Sequence, residues 1–431
     1  NFHYLTEWPE PSAHAIIIVQ DNKAALYLFV QGRNEEMETW EGKRLGPEGA
    51  KQQFGAEEAF LYEEYESLAP KLLSGIEDIY CDYTNAAFEK YDKKLINTAI
   101  PYDQRGSSFS KATLNSLSPL LSEFRLIKSS EELEHLKRAC DITVEGHKSA
   151  MEFTKKDMYE YQIEAEMEKT FYDLGAERLG YPSIVASGDN ACILHYSTNR
   201  EKVDNNGLIL IDAAAEFKMY SSDVTRTFPV NGKFTKAQKD VYTEVLNAQE
   251  LGIKNVTTKK TMSDIHTSTV TSISQSLVDL GLVPMGVEET ISMMHYFEFF
   301  MHGTGHWLGL DVHDAGTTEE KNKPRKLKPG MVTTIEPGIY IRPNKPEIEF
   351  KLLERDPKKI RERRKSLGME KATKLESEEM KDAKSIKHKI PKDLLGIGIR
   401  IEDDIVCTEN DPINLTIGAP KTIDDVEAIC S

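Results

Sequence analysis

The chain has 431 residues, 39% of them hydrophobic and 29% charged, with a formal charge of −17. That length suffices for two domains with substantial cores, and the acidic balance argues against nucleic acid as a general partner, because phosphate binding wants a basic face. No apolar run approaches the roughly 20 residues of a membrane span. The five scattered cysteines (Cys81, Cys140, Cys192, Cys407, Cys430) lack a C-x-x-C pair, which favours free thiols in a reducing compartment over a disulfide frame or zinc finger.

The opening NFHYLTEW reads as the middle of a fold, so a preceding segment is expected, with any targeting sequence in it. The expected compartment is the cytoplasm, with the mitochondrion as the alternative. Residues 1–125 read as a small α/β domain without a catalytic cluster. AHAIIIVQ and AALYLFV have the look of strands, and EEYESLAPKLLSG that of a helix closed by Gly75. A second domain, 126–431, opens with a helix at SSEELEHLKRACDITVEGHKSAMEFT. There Ser129 caps the first turn and Glu132 completes a capping box. Helical patterns continue at 157–174, 235–254 and 263–281, with strands between and after them. From about 344 to 392 the chain is rich in Lys and Glu and poor in large apolar residues, and it contains KKIRERRK at 358–365. This reads as a peripheral insertion, solvated and helical or disordered; docking of an acidic partner is the sharper alternative.

Five side chains in five places fit one dinuclear metal site: Asp212, Asp223, His306, Glu336 and Glu402. Most lie in or beside runs apolar enough for buried strands, where an uncompensated carboxylate is very costly. GLILID ends a buried strand at Asp212, and YSSDVTRTF returns. If the turn centres on Phe217–Lys218, Asp212 and Asp223 become direct cross-strand neighbours, a repulsive arrangement unless a cation sits between them. HGTGHWLGLDVHD holds His302, His306 and His313. Gly303 and Gly305 disfavour a regular helix, so this is a loop and not an H-E-x-x-H helix. One imidazole would bind metal and the others would face substrate. In TTIEPGIYI, Pro337 and Gly338 break a strand and leave Glu336 at its end. In GIGIRIEDDIV, Arg400, Glu402 and Asp404 share one face of a strand, and Arg400 is placed to orient a ligand carboxylate. Four carboxylates and one imidazole suit Mn²⁺, Mg²⁺ or Fe²⁺ better than a thiolate zinc site, with Zn²⁺ and Co²⁺ as alternatives. Two ions about 3.5–4 Å apart, sharing bridging carboxylates, imply metal-assisted hydrolysis.

Together with WEGKRLGP, NACILHYSTN, LKPGMVTTIEPGIYI and PVNGKFT, these motifs resemble the pita-bread metallopeptidases, most closely their aminopeptidase P (Xaa-Pro aminopeptidase) branch, over nearly the whole chain. The resemblance implies an N-terminal α/β domain, ribonuclease H-like, and an α+β C-terminal pita-bread domain of helices around a curved antiparallel sheet. It implies two divalent ions, typically manganese. Asp212 would bind one ion, Asp223 and Glu402 would bridge, and His306 and Glu336 would complete the other shell. Glu336 would also exchange a proton with the attacking water. His195, His302 and His313 match the family's substrate-side histidines, Arg400 and Tyr340 match residues beside the metals, and Trp40 matches a tryptophan that reaches a neighbouring subunit in tetrameric members. The implied partners are peptides with proline at position 2 and further copies of the chain, as a dimer or tetramer. Prolidase is the close competitor, although Trp307 and the WEGKRLG stretch look more like aminopeptidase P. A non-catalytic pita-bread scaffold would need a lost ligand, and none is lost. The insertion at 344–392 departs from the family's short connection and could partly cover the cleft.

Overall fold

The computed structural model describes residues 1–82, 92–93, 96 and 113–431, so most of 83–112 of the expected first domain lies outside the described residues. The chain divides into two compact units, Asn1–Ser122 and Glu123–Ser431.

In the first unit, β1 (His14–Gln20) and β2 (Lys23–Val30) form an antiparallel hairpin. Helices α1 (Glu35–Glu41) and α2 (Gly46–Phe54) follow. Next, β3 (Glu58–Leu61) joins β2 in parallel, and α3 (Tyr65–Leu72) ends ahead of Gly75 at a left-handed φ of 81°. Strand β4 (Asp78–Cys81) pairs in parallel with β5 (Thr113–Ser116). Leu28, Val30, Trp8 and Ala50 form one small core between sheet and helix, and Phe29, Tyr65 and Ala69 form another.

The second unit opens with α4 (Ser130–Phe153). Its Ser129 Oγ accepts from Glu132 N at 3.2 Å while Glu132 Oε2 accepts from Ser129 N at 2.8 Å, closing the capping box. Helix α5 (Glu160–Asp173) precedes three antiparallel strands, β6 (Ile184–Ser187), β7 (Leu208–Asp212) and β8 (Thr225–Pro229), with β7 central. Then come α6 (Lys236–Lys254) and α7 (Met262–Asp279). Strands β9 (Val332–Ile335) and β10 (Gly338–Tyr340) are separated only by Glu336–Pro337. The helices lay their apolar faces on these strands in one large core that includes Ile142, Met167, Phe171, Ile209, Ile211, Val241, Ile339 and Ile399.

The charged segment is more ordered than its composition suggests. Strand β11 (Glu347–Lys351) leads to α8 (Pro357–Leu367) and α9 (Met369–Lys381), and the chain returns along β12 (Ser385–Lys389), antiparallel to β11. The helical reading holds for α8 and α9. The two base strands correct it: Ile348 and Phe350 alternate onto one face and join the main core with Ile390. Finally β13 (Gly398–Arg400) and β14 (Asp403–Val406) pair antiparallel with β10 and β9. Among the described residues, no helix is long and apolar enough to cross a membrane.

Candidate metal centre

The first two carboxylates come from the β7–β8 hairpin. Its pairing sets Thr225, not Asp223, opposite Asp212. The turn falls on Lys218 and Met219, both left-handed at φ 47° and 68°, as a two-residue type I′ turn requires. The expected register is therefore wrong by two residues. Asp223 stays on the same face as Asp212 but as its diagonal neighbour.

The next two come from the β9–β10 and β14–β13 ladders. Ile335 pairs with Asp403 and Gly338 with Arg400, so one register runs through both ladders and sets Glu336 opposite Glu402 at the interruption. Glu402 N donates to Thr225 O at 3.1 Å, bringing this gap against β8. His306 is supplied by an irregular loop. Gly305 lets that loop approach β9, since a Cβ there would lie 1.9 Å from Thr334 O. The loop is then pinned by His306 N to Thr334 Oγ1 at 3.1 Å and Thr334 N to His306 O at 3.0 Å. The imidazole Nε2 sits 3.3 Å from Asp223 Oδ2 and 3.7 Å from Glu336 Oε1.

One ligand atom each from Asp223, His306 and Glu402 lie within 4.8 Å of one another. Asp212 is tied to this group by Tyr181, whose hydroxyl is 2.6 Å from Asp212 Oδ1 and 2.6 Å from Asp223 Oδ1. Arg400 binds Asp212 Oδ2 at 2.5 Å and gives Nε to Thr225 Oγ1, which in turn donates to Glu402 Oε2 at 2.7 Å. Burial, then the charge of Asp212, pushes Asp223 up against the pull of His306. Burial pushes Glu336 up to about 7, with Asp223 adding to it and His306 opposing. Glu402 is raised far above the carboxylate range by burial and by Asp223 and Glu336. Burial alone would lower His306, yet Asp223 and Glu336 carry it to about 9. Buried Asp223 and Glu402 and half-buried Glu336, which repel one another beside an imidazole, form a donor set short of positive charge, and the single Tyr181 proton cannot serve both aspartates. The residues fit hard divalent cations.

Around this centre, Tyr340 is fully buried. Its hydroxyl accepts from Arg400 Nη1 at 2.9 Å and lies 2.8 Å from His302 Nε2. His302 Nδ1 lies 2.8 Å from Gly303 O, a pure acceptor, so Nδ1 carries the proton and Nε2 accepts from the phenol. Burial and then Arg400's charge push His302 down to about 3, keeping it neutral. His313 stacks edge-on to His306 with centroids 4.2 Å apart. His195 is exposed in the loop after β6, close enough for its charge to depress both His302 and His313. Trp40 lies on α1 in the first unit, 82% exposed. Asp404, read as sharing a face with Glu402, is turned to other work. Its Oδ2 accepts from Asp223 N at 3.0 Å, Ser222 Oγ at 2.8 Å and Cys140 Sγ at 3.2 Å. Tyr181 and Thr225 escaped the sequence reading, and the role of Asp404 was missed, because each acts on a ligand distant in sequence. Only the polar Thr225 inside a buried strand offered a signal.

Residues 134–409 match the model of metallopeptidase family M24, and residues 1–80 match the aminopeptidase P N-terminal domain. The chain is 36% identical to the Xaa-Pro aminopeptidase of Escherichia coli K12, over 100% of this chain and 88% of that protein. It is 35% identical to the Haemophilus influenzae Xaa-Pro aminopeptidase, over 99% and 86%. The solved structure of Pseudomonas aeruginosa aminopeptidase PepP superposes with a TM-score of 0.85 at 36% identity, covering 100% of this chain and 88% of that one. The chain is a metallo-aminopeptidase that belongs to metallopeptidase family M24, with a pita-bread catalytic domain and an aminopeptidase P N-terminal domain.

Proposed function

We propose that the protein removes the first residue from peptides whose second residue is proline, with two divalent ions, manganese by preference, held by Asp212, Asp223, His306, Glu336 and Glu402. The observation that carries this reading is the opposition of Glu336 and Glu402 at the gap between ladders, with Asp223 and His306 closing on it. When bound, the ions supply an acidified water and a polarised scissile carbonyl. Glu336 takes the proton from the attacking water and passes it to the proline nitrogen as the carbon–nitrogen bond breaks. Arg400 holds Asp212 in place, and through Tyr340 it fixes the tautomer of His302. His302, His313 and His195 line the substrate side. An Xaa-Pro bond has no amide hydrogen and a fixed proline φ, so the substrate is held through its free amine, its carbonyl and the ring.

The finer fold belongs to the same reading. The mixed sheet of the first unit supports a ribonuclease H-like domain, and the interrupted ladders of the second support a curved sheet. Exposed Trp40 supports a dimer or tetramer. Free thiols at all five cysteines support a reducing compartment, cytoplasmic or mitochondrial.

The test is kcat/KM for Ala-Pro-Ala against Ala-Pro at the same Mn²⁺ concentration. The tripeptide is expected to be cut well and the dipeptide poorly, because an aminopeptidase leaves room beyond the proline. A preference for the dipeptide would assign the protein as a prolidase.

A further inference from the structure

The loop from Gly188 to Lys202 carries His195 on its exposed side, and no regular ladder holds it. One side chain beneath it does. Glu160, the first residue of α5, is completely buried. Its Oε1 accepts from Ser187 N at 2.8 Å and Asn190 Nδ2 at 3.0 Å, and its Oε2 accepts from Tyr196 Oη at 2.7 Å and Glu201 N at 2.9 Å. Its backbone N donates to Glu201 O at 3.1 Å. These donors come from both flanks of His195: two from before it, one from the adjacent residue, and one from where the loop ends. Ser187 is also the last residue of β6, so the loop is fastened to the sheet whose central strand ends at Asp212. Asn199 braces the far flank, accepting from Val185 N at 3.0 Å and donating to Ser183 O at 2.8 Å. A carboxyl with four donors and no acceptor leaves little room for another rotamer.

We propose that Glu160 is a positioning residue for catalysis, clasping both flanks of the 188–202 loop so that His195 is held at a fixed place beside His302 and His313. The inference rests on the substrate-side reading of His195. None of these hydrogen bonds reaches a candidate metal ligand, so the effect of Glu160 must pass through the loop. Glu160→Gln keeps the volume but turns one acceptor into a donor, facing either Glu201 N or Ser187 N, neither of which can turn around. Tyr196→Phe removes a single clasp and leaves the other three.

The experiment is a double-mutant cycle on the Mn²⁺-loaded protein with Ala-Pro-Ala, measuring kcat, KM and, by calorimetry, Mn²⁺ affinity. Glu160→Gln should lower kcat by about tenfold, the lower end for losing a group that orients an active-site ligand. KM and the Mn²⁺ Kd should stay within about twofold, since neither ground-state binding nor the metal shell is touched. Tyr196→Phe should lower kcat less. In the His195→Ala background neither change should cost anything further, because residues acting through one another are not additive. Full losses in both backgrounds, an unchanged kcat, or a parallel loss of Mn²⁺ affinity would overturn the proposal. If Glu160→Gln does not fold, the Tyr196→Phe cycle decides alone. If His195→Ala itself leaves kcat and KM unchanged, the reading of His195 fails and the proposal falls with it. Additive losses against a defective His195→Ala would sink only the role given to Glu160.

Discussion

The metal-site strands and the inserted arm both carry arginines beside acids, and burial makes them different things. At the site, Arg226 is fully buried and binds Asp403 Oδ1 at 2.6 Å. It also donates to the carbonyls of Thr225, Glu402, Ala419 and Pro420. One guanidinium thus clamps β8 against the start of β14 and the gap that holds Glu402. On the arm, Arg363 pairs with Glu379 at 2.8 Å and Arg364 with Glu376 at 2.9 Å, but the arginine side chains are about a third exposed and α8 buries no residue. The first arrangement fixes backbone where chemistry is to occur. The second joins two surface helices, of which only α9 buries residues, Ala372 and Glu376. An ion pair therefore says little about structure until its solvent is known.

The largest effect that sharpens this contrast is metal removal. Chelation should abolish hydrolysis and Mn²⁺ should restore it. Stability should respond with a sign set by pH. Glu336 has a folded value near 7 in the metal-free protein, above the ordinary 4.5. Its neutral form is the one the fold prefers, so its contribution is complete below the ordinary value and is lost as pH rises through about 7. Metal-free protein should soften between those limits. Mn²⁺ must displace that proton, so its stabilisation should grow over the same window, reaching about 2.7 kcal/mol at a hundredfold excess over Kd. Melting temperatures from pH 5 to 8, with and without Mn²⁺, check both slopes; parallel curves would refute the linkage.

Next in size is a pair of substitutions. Arg226→Ala leaves several carbonyls unpaired in the interior and Asp403 with Lys421, at 2.8 Å, as its remaining cation, and should destabilise by about 3 kcal/mol in urea unfolding. Arg363→Ala breaks an exposed, solvent-screened pair and should leave the same measurement unchanged within its error. Equal losses would erase the distinction between the regions. The smallest effect is expected from replacing 352–384 by a short Gly-Ser turn between β11 and β12. Mn²⁺ affinity should change by less than about twofold, because the core contacts of Ile348, Phe350 and Ile390 remain. A folded variant that no longer binds Mn²⁺ would put the arm inside the site.

Much of the fold was legible where the signal is local. The capping box at Ser129–Glu132 marked the start of α4, and periodicity placed α5, α6 and α7 within a few residues. The β7–β8 register was misjudged because its turn uses Lys218 and Met219 in left-handed conformations, without the Asn-Gly or Gly that would advertise it. The base strands of the arm were lost because EIEFK and SIKHK spread two-residue alternation over stretches dominated by charge. In the site, the candidate ligands stood out as acids among apolar runs. Their supports did not. Tyr181 and Thr225 reach carboxylates 31 and 177 residues away, and Glu160 looked like any polar residue at a helix start.

The arm leaves and re-enters the catalytic unit within one antiparallel pair, Lys351 facing Ser385, with Leu352 N donating to Lys384 O at 2.7 Å just beyond. The chain's exit and return are therefore neighbours whatever lies between them. That geometry makes the tip a graft port. A fluorophore, an affinity tag or a small folded module inserted near Gly368 would be carried on its own stem, because the entropy of closing such a loop grows only slowly with its length.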